Sequence, residues 1–248
     1  MTNLFGATRN VVTTRYALLT PAGFVASNLP GWDNAATVVM ISPAMGAAFC
    51  QYLITLAGDG TGRGNTGRME YFAYVVEGSA GVTVDEKKHR LEAGSYAYIP
   101  PGKDMYFQGA GSGAKLLMFQ KKYVPQADKS PGPEPIFAHE REVKGQPFLG
   151  NEDARLQALL PDKPAFDMAV NIFTYQPGAT LPFVETHVME HGLLMLKGQG
   201  VYRLDADHHP VQAGDAIWMA PYCPQWFVAM GKSPASYIYY KDVNRDPI

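Results

Sequence analysis

An internal repeat constrains the fold of this chain more than any other feature of its sequence. When the sequence is compared with itself at an offset of 120 residues, nine of the 40 positions from 68 to 107 are identical, without a gap. Only about two or three identities are expected by chance at such an offset. Several identities are turn residues whose backbone geometry few other residues adopt, as in the pairs Gly78/Gly198, Gly94/Gly214 and Pro101/Pro221. The 248 residues therefore hold two similar domains of about 120 residues each.

Short extended runs separated by turns recur in both halves. YFAYVVEG, GVTVD and SYAYIPPG in the first half correspond to HGLLMLKGQG, VYRLD and DAIWMAPY in the second. Such runs predict an all-β chain with antiparallel sandwich or barrel domains. We place an arm and the first domain in residues 1–124, and a linker and the second domain in residues 125–248. We expect an arm over residues 1–35, an irregular linker over 124–150 and a short helical turn over 151–162.

Charge and terminal sequence exclude several classes of protein. The 21 basic and 23 acidic side chains leave a net charge of −2, which provides no positive field for nucleic acid. The first residues lack the apolar stretch of a signal peptide, and nowhere do 18 apolar residues run together. We therefore expect a cytoplasmic protein that binds neither nucleic acid nor membrane.

The segment VETHVMEHG, residues 184–192, holds most of the residues that indicate chemistry. Glu185 and His187 lie two apart, so on a strand both would point to one face, and His191 follows after a bend. Gln225, beyond a proline-rich corner, adds an amide oxygen. A carboxylate, two imidazoles and an amide are ligands that suit a divalent transition metal. The alternative is that these residues are ordinary polar side chains on a hairpin.

The repeat favours the metal site over that alternative. At the 120-residue offset, the counterparts of the four candidate ligands cannot together bind a metal, whereas the turns agree between the halves; these counterparts are Asn65, Gly67, Tyr71 and Met105. This pattern indicates that one half serves chemistry and the other serves as scaffold. Two oxygen and two nitrogen donors favour octahedral Mn²⁺ or Fe²⁺ over a closed zinc site, although Zn²⁺ or Ni²⁺ could also be bound.

The C-terminal run YIYYK contains further candidate residues. Tyr237, Tyr239 and Lys241 alternate, so their side chains share one face of a strand. The alternative is that the tyrosines are half-buried strand aromatics and Lys241 is a solvated end. Lys121 matches Lys241 across the repeat, which favours a structural role because the first half has no metal ligands.

The spaced motif Gly178-x₆-Glu185-x-His187-x₃-His191-x₆-Gly198, followed by Gly214-x₆-Pro221, resembles a cupin motif pair. The order Glu-x-His then His, together with the ending SYIYYKDVNRDP, is similar to the (S)-ureidoglycine aminohydrolase family of two-domain cupins. The resemblance spans nearly the whole chain. It implies a bicupin fold of two tandem antiparallel β-barrel (jelly-roll) domains.

The resemblance also implies an activity and a set of site residues. The activity is that of a manganese-dependent hydrolase that releases ammonia from a small ureido substrate, (S)-ureidoglycine, and leaves (S)-ureidoglycolate. The implied metal ligands are Glu185, His187, His191 and Gln225. The implied substrate contacts are Tyr202, Tyr237, Lys241 and Glu185, of which Glu185, Tyr237 and Lys241 are the candidate catalytic residues. The linker departs from the family, so no substrate contact is assigned to it.

Two other functions remain open from the sequence. The same type of pocket with Fe²⁺ could serve a cupin dioxygenase, and a bicupin could also bind a small molecule without catalysis. Storage bicupins lose their ligands in both halves, whereas this chain keeps four in one half. Like other bicupins, the protein is expected to form a homo-oligomer.

Overall fold

A computed structural model describes residues 8–128 and 131–245, and its regular structure is almost entirely extended. The described residues contain three short 3₁₀ helices at Pro21–Gly23, Pro43–Met45 and Glu140–Glu142, and no α-helix. None of the described residues forms a helix with the length and apolarity needed to span a lipid bilayer. The strands are β1 (Val11–Val12), β2 (Tyr16–Leu19), β3 (Ala26–Ser27), β4 (Trp32–Ile41), β5 (Phe49–Asn65), β6 (Met69–Val84), β7 (Lys87–Glu92), β8 (Ser95–Ile99), β9 (Asp104–Lys122), β10 (Ile136–His139), β11 (Gln146–Phe148), β12 (Asn151–Ala158), β13 (Met168–Tyr175), β14 (His191–Lys197), β15 (Gln199–Leu204), β16 (Asp207–Gln212), β17 (Ala216–Met219), β18 (Gln225–Met230) and β19 (Ala235–Asp242).

The strands group into two compact units, which we call the first barrel and the second barrel. The first barrel comprises the described residues 25–128 and 131–142, and the second comprises the described residues 8–24 and 143–245. In the first barrel one sheet runs in the order β10-β8-β6-β9-β5-β4-β3, with β7 paired to β6. The second barrel has a sheet in the order β1-β2-β17-β14-β19-β13-β12-β11 and a small sheet β16-β15-β18. All pairings are antiparallel, which confirms the predicted fold class.

The division between the units differs from the predicted boundary between residues 124 and 125. The N-terminal arm joins the second barrel because β2 pairs with β17, with Tyr16 opposite Met219. Residues 136–139 of the expected linker join the first barrel, because β10 pairs with β8. Strand pairing between segments far apart in sequence therefore decides the division.

The helical turn expected over residues 151–162 is absent. Residues Asn151–Ala158 instead form strand β12, which pairs with β13 on one side and β11 on the other. Ala154 is fully buried in the core of the second barrel, and Leu156 packs against that core. Burial of alternate side chains against a neighbouring strand outweighs the weak local preference for helix.

The two barrels repeat the same pairing scheme, with small changes of register between them. His191 lies opposite Met219 as Tyr71 lies opposite Ile99, which preserves the 120-residue offset. His191 also lies opposite Lys241, whereas Tyr71 lies opposite Gln120. The structural counterpart of Lys241 is therefore Gln120.

Lys121 and Lys241 match in the sequence, but they do not occupy equivalent positions in the two barrels. Up to Phe227, which corresponds to Phe107, the two barrels keep the 120-residue offset. Ala235 then corresponds to Ala114, because the turn before β19 is one residue longer than its counterpart in the first barrel. Lys121 lies opposite Glu70 instead, and its Nζ atom is 3.4 Å from Glu70 Oε1 in a buried ion pair. Because side chains alternate along a strand, one extra residue moves Lys121 to the other face of the sheet.

The N-terminal arm is held to the second barrel by Arg9. Its guanidinium donates two hydrogen bonds of 2.9 Å to the two carboxylate oxygens of Asp215, whose side chain is fully buried. We expect Arg9→Met to lower the free energy of unfolding by about 2 kcal/mol, because a buried carboxylate loses its ion-pair partner. Urea denaturation measures the loss.

The matched control is Arg63→Met, which breaks the exposed pair between Arg63 and Asp33. Exposed ion pairs contribute only about 0–1 kcal/mol, so this variant should lose little stability. Equal losses in the two variants would contradict the role of Arg9 as a buried anchor.

Candidate metal centre

An irregular segment ahead of β14 is held against the start of β18. Glu185 and Gln225 form an isolated antiparallel bridge, in which the Glu185 N–H donates to the Gln225 carbonyl at 2.8 Å. The Gln225 N–H donates back to the Glu185 carbonyl at 2.9 Å, and the Tyr222 N–H donates to the His187 carbonyl at 2.8 Å. Glu185 and His187 therefore lie beside β18, but on a bridged loop rather than on the predicted strand.

Three of the candidate ligands converge. His191 is the first residue of β14 and is 5% exposed, and its Nε2 atom lies 3.2 Å from Nε2 of His187. The Nε2 atom of Gln225 lies 3.0 Å from the same His187 nitrogen. The sequence prediction that His191 meets His187 after a bend agrees with this geometry.

Both histidines are in a state suited to bind a cation. Burial lowers the pKa of His187, and the nearby charge of Lys241 lowers it further. Burial lowers the pKa of His191 well below its usual value, with His187 and Lys241 as additional causes. Neutral imidazoles offer a free lone pair, which is the form that binds metals.

The carboxylate of Glu185 lines the same cavity but is not part of the tight group. Among the described residues, no three His, Cys, Asp or Glu side chains gather closely enough to hold a metal ion. The close group is instead two histidines and the amide of Gln225, with Glu185 at its edge. Burial raises the pKa of Glu185, and Lys241 opposes that shift.

The donor set nevertheless fits a divalent transition metal. Two neutral imidazole nitrogens 3.2 Å apart either share one hydrogen bond or direct two lone pairs at each other, which is repulsive. A cation bound by both nitrogens removes that repulsion. The Nδ1 atoms of His187 and His191 are buried and, within the part of the chain that is described, have no hydrogen-bond partner. Nearby backbone groups, that of Met189 at His187 and those of Glu190 and Tyr240 at His191, oppose the lowering of their pKa values.

A cavity of about 160 Å³ opens over these residues in the second barrel. Tyr237, Tyr239 and Lys241 all line it, so the predicted common face of the C-terminal strand is confirmed. Tyr202 also lines it. The remaining wall is mostly apolar and is formed by Phe148, Leu156, Phe173, Leu181, Met189, Leu193 and Met219, with the four candidate ligands at its polar end.

Three buried tyrosines lie close together in the second barrel, and two of them, Tyr202 and Tyr237, line the cavity. Tyr202 and Tyr237 are 2% and 3% exposed, and Tyr175 is fully buried behind them. Burial raises the pKa of Tyr202 and raises those of Tyr175 and Tyr237 well above the usual value, so all three hydroxyls keep their protons. Sequence analysis identified Tyr202 and Tyr237 but missed Tyr175. The alternation of MAVNIFTY, which places Phe173 and Tyr175 on one face, was the available signal.

Tyr239 has a packing role at the histidines. Its ring meets the His191 ring edge-on, with ring centroids 5.5 Å apart, and is stacked on Phe173 at 6.0 Å. The ring of His191 is therefore enclosed by His187 on one side and by Tyr239 on another. These contacts restrict how the imidazole can rotate.

Both barrels match families of known domains. Residues 171–240 match the cupin domain, and residues 51–122 match the EutQ-like cupin domain. The two matches cover the cores of the second and the first barrel, respectively, and confirm the bicupin fold.

Curated relatives resemble the chain over nearly its whole length. The (S)-ureidoglycine aminohydrolase of Arabidopsis thaliana is 37% identical over 99% of this chain and 82% of its own length. The (S)-ureidoglycine aminohydrolase of Escherichia coli (strain K12) is 38% identical over 93% of this chain and 89% of its own. The crystal structure of the protein Ylba from E. coli superposes with a TM-score of 0.87 at 34% identity, covering 98% of this chain and 97% of the other.

Proposed function

The chain belongs to the (S)-ureidoglycine aminohydrolase family, and from this premise we propose that its chemistry occurs at the cavity of the second barrel. The protein is a hydrolase that releases ammonia from (S)-ureidoglycine and gives (S)-ureidoglycolate. The observation that carries the assignment of the site is the convergence of His187, His191 and Gln225 at the polar end of that cavity. The dioxygenase and binding-protein alternatives gain no support from the relatives.

We propose that Glu185, His187, His191 and Gln225 hold a divalent metal ion, with manganese as the physiological metal. The oxygen and nitrogen donors are those that suit such an ion. An ion held by these residues would act as a Lewis acid and make water more acidic. The corresponding positions of the first barrel support the assignment, because Tyr71 and Met105 stand where His191 and Gln225 stand in the second.

The counterpart of Glu185 follows from the same register. Gly64 lies opposite Met105, as Glu185 lies opposite Gln225, so the first barrel has no side chain at that position. The structural match replaces Asn65, which the 120-residue offset had paired with Glu185. Either way the first barrel lacks the carboxylate, and its interior does not provide a comparable set of ligands.

We assign substrate binding to Lys241, Tyr237 and Tyr202. The ammonium group of Lys241 is the positive charge at the polar end of the cavity and suits the substrate carboxylate. The rigid tyrosines fix the orientation of the bound molecule. Orientation relative to the attacking water decides which enantiomer forms, so these contacts set the stereochemical outcome.

Glu185 is the proposed general base. Its carboxylate lines the cavity and would accept a proton from water, although binding to the metal ion makes it a weaker base. The water oxygen forms a bond to the central carbon of the substrate, and the bond from that carbon to the amino nitrogen breaks. As that bond breaks, Glu185 gives the proton to the amino nitrogen, which therefore departs as neutral ammonia. Water and ureidoglycine are consumed, and ureidoglycolate and ammonia are formed.

Metal removal tests the proposed function. Dialysis against a chelator should abolish ammonia release from freshly prepared (S)-ureidoglycine, and Mn²⁺ should restore it. The reason is that the proposed reaction needs the metal ion as its Lewis acid. The configuration of the ureidoglycolate must be determined, since spontaneous hydrolysis gives no enantiomeric excess. Metal content of the purified protein is measured in parallel.

Full activity and a pure (S) product after complete metal removal would contradict the metal centre. A racemic product from the metal-loaded protein would instead contradict the assigned activity. Homo-oligomerisation and a cytoplasmic location stay predictions of the sequence; light scattering of the purified protein measures the first, and cell fractionation measures the second.

A further inference from the structure

The proline-rich corner between β17 and β18, residues 220–225, positions two of the candidate ligands. Gln225 is its last residue and the first residue of β18. The N–H of Tyr222, in the middle of the corner, donates to the His187 carbonyl at 2.8 Å. The loop that carries His187 is therefore attached to this corner, and a movement of the corner would displace both ligands.

Tyr222 has a strained backbone conformation in this corner. Its φ angle is +61°, in the left-handed region that residues other than glycine rarely adopt. Its side chain is 58% exposed, so packing of the ring contributes little to holding that conformation. Strain of this kind persists where the surrounding structure fixes the backbone.

The first barrel builds the same corner with glycine. Gly102 is the counterpart of Tyr222 at the 120-residue offset, and its φ angle is +78°. Its N–H donates at 2.9 Å to the carbonyl of Gly67, which is the counterpart of His187 at the same offset. Both barrels therefore make this backbone hydrogen bond, but the second makes it from a residue for which the conformation is costly.

Arg15 of the N-terminal arm holds the corner of the second barrel. Its Nη2 atom donates to the Tyr222 carbonyl at 2.9 Å, and its Nε atom lies 3.3 Å from a carboxylate oxygen of Asp205. The backbone carbonyl of Arg15 accepts from the Ala220 N–H at 2.9 Å. Asp205 contacts the corner as well, because its N–H donates to the Pro224 carbonyl at 2.8 Å.

The two barrels obtain the cation beside this aspartate from different places. In the first barrel Asp85, the counterpart of Asp205, pairs with Lys103 of the corner itself, with Lys103 Nζ 2.7 Å from the carboxylate. In the second barrel the counterpart of Lys103 is Cys223, and Arg15 from the arm supplies the positive charge instead. The second barrel thus ties its corner to a segment distant in sequence.

We propose that Arg15 is a positioning residue that holds Tyr222 in its strained conformation and so keeps His187 and Gln225 together at the metal centre. A guanidinium suits this role because its several N–H groups can serve the Tyr222 carbonyl and the Asp205 carboxylate at once. The inference rests on the proposed metal centre and adds to it a residue of the arm, far from the ligands in sequence.

Arg15→Met tests the inference because it keeps most of the apolar stem and removes the guanidinium. We expect Mn²⁺ to bind about three- to tenfold more weakly, which corresponds to the loss of about one net hydrogen bond. Competition with a chelating dye measures the affinity. The electron paramagnetic resonance spectrum of bound Mn²⁺ should also change, because the ligands are held less firmly. Arg15→Lys, which has one nitrogen for the two acceptors, should show a smaller loss and replaces Arg15→Met if that variant does not fold.

The matched control is Arg9→Met, which removes the other arginine by which the arm contacts the second barrel. Arg9 pairs with the buried Asp215, whereas the Arg15–Asp205 pair is partly exposed, so Arg9→Met should lose more stability. Its Mn²⁺ affinity should nevertheless equal that of the unmodified protein. A melting curve of each variant shows that it is folded at the temperature of the assay.

A rescue experiment tests whether Arg15 acts through the strain at Tyr222. Tyr222→Gly alone should leave Mn²⁺ affinity unchanged, because glycine adopts this conformation without cost, as Gly102 does. In the Tyr222→Gly background, Arg15→Met should change the affinity by less than about 1.5-fold.

Three results would overturn the inference while leaving the metal centre intact. They are an unchanged Mn²⁺ affinity in Arg15→Met, the same loss of affinity in Arg9→Met, and an equal effect of Arg15→Met with tyrosine or glycine at position 222. Failure of the unmodified protein to bind Mn²⁺ would overturn the metal centre and this inference with it.

Discussion

His191→Ala should leave the protein without bound manganese and lower ammonia release by at least about 1,000-fold, beyond the roughly 10- to 100-fold that loss of a residue supporting a ligand costs. His191 is buried, and its Nε2 atom is one of the two imidazole nitrogens that converge at 3.2 Å. Alanine removes that donor and leaves His187 with Gln225 alone at close range. Metal analysis and ammonia assays on the same preparation measure both effects.

Gln225→Ala should have the same direction of effect, because Gln225 Nε2 lies 3.0 Å from His187 and its amide oxygen is the proposed ligand. The matched control is Met105→Ala, which truncates the equivalent position in the first barrel. Met105→Ala removes a buried side chain and should lower stability, yet leave metal content unchanged. If ammonia release survives both His191→Ala and Gln225→Ala while bound metal is absent, the metal hypothesis fails.

Lys241→Met should lower kcat/KM by about 100-fold, because the substrate carboxylate loses its charged partner while the apolar stem of the side chain is kept. Lys241 lies opposite His191 on β19 and lines the cavity. Metal content should remain that of the unmodified protein, since Lys241 is a cation and not a ligand. Steady-state kinetics and metal analysis separate the two effects.

The matched control for Lys241→Met is Lys197→Met, which removes an exposed lysine at the end of β14 in the same sheet. It carries the same change of charge but lies outside the cavity, so kcat/KM should not change. Equal losses in the two lysine variants would indicate a general effect of net charge. Unchanged activity in Lys241→Met would remove this residue from the proposed substrate site.

The comparison of the two barrels explains how one fold carries both a scaffold and a reactive site. The buried cluster around Phe107 in the first barrel otherwise consists of Ala, Val, Leu, Ile and Met. The other buried aromatic side chains of that barrel, such as Phe72, Tyr98 and Phe119, lie outside this cluster. The core of the second barrel contains several buried tyrosines, including Tyr175, Tyr202 and Tyr237. Hydroxyl groups are costly to bury without partners, and the hydroxyls of Tyr175 and Tyr237, 3.1 Å apart, are partners of each other.

Much of the fold was predictable from the sequence because its signals are local. Glycines and prolines repeated at one offset mark turns, and alternating runs mark strands, so the repeated all-β architecture could be inferred from the chain alone. The residue types of the candidate site could be identified in the same way. Glu185, His187 and His191 lie within seven residues, and the halves differ at these positions while their turns agree.

The remaining features depend on contacts between distant segments, and only the tertiary structure decided them. The arm joins the second barrel through pairing of β2 with β17, and residues 151–158 become a strand because β13 lies beside them. One extra residue before β19 gives Lys241 the counterpart Gln120 rather than Lys121. The hydroxyls of Tyr175 and Tyr237 lie 3.1 Å apart because β13 pairs with β19. Sequence identity records local backbone geometry, whereas register and hydrogen-bond partners are set by which strands meet in the folded protein.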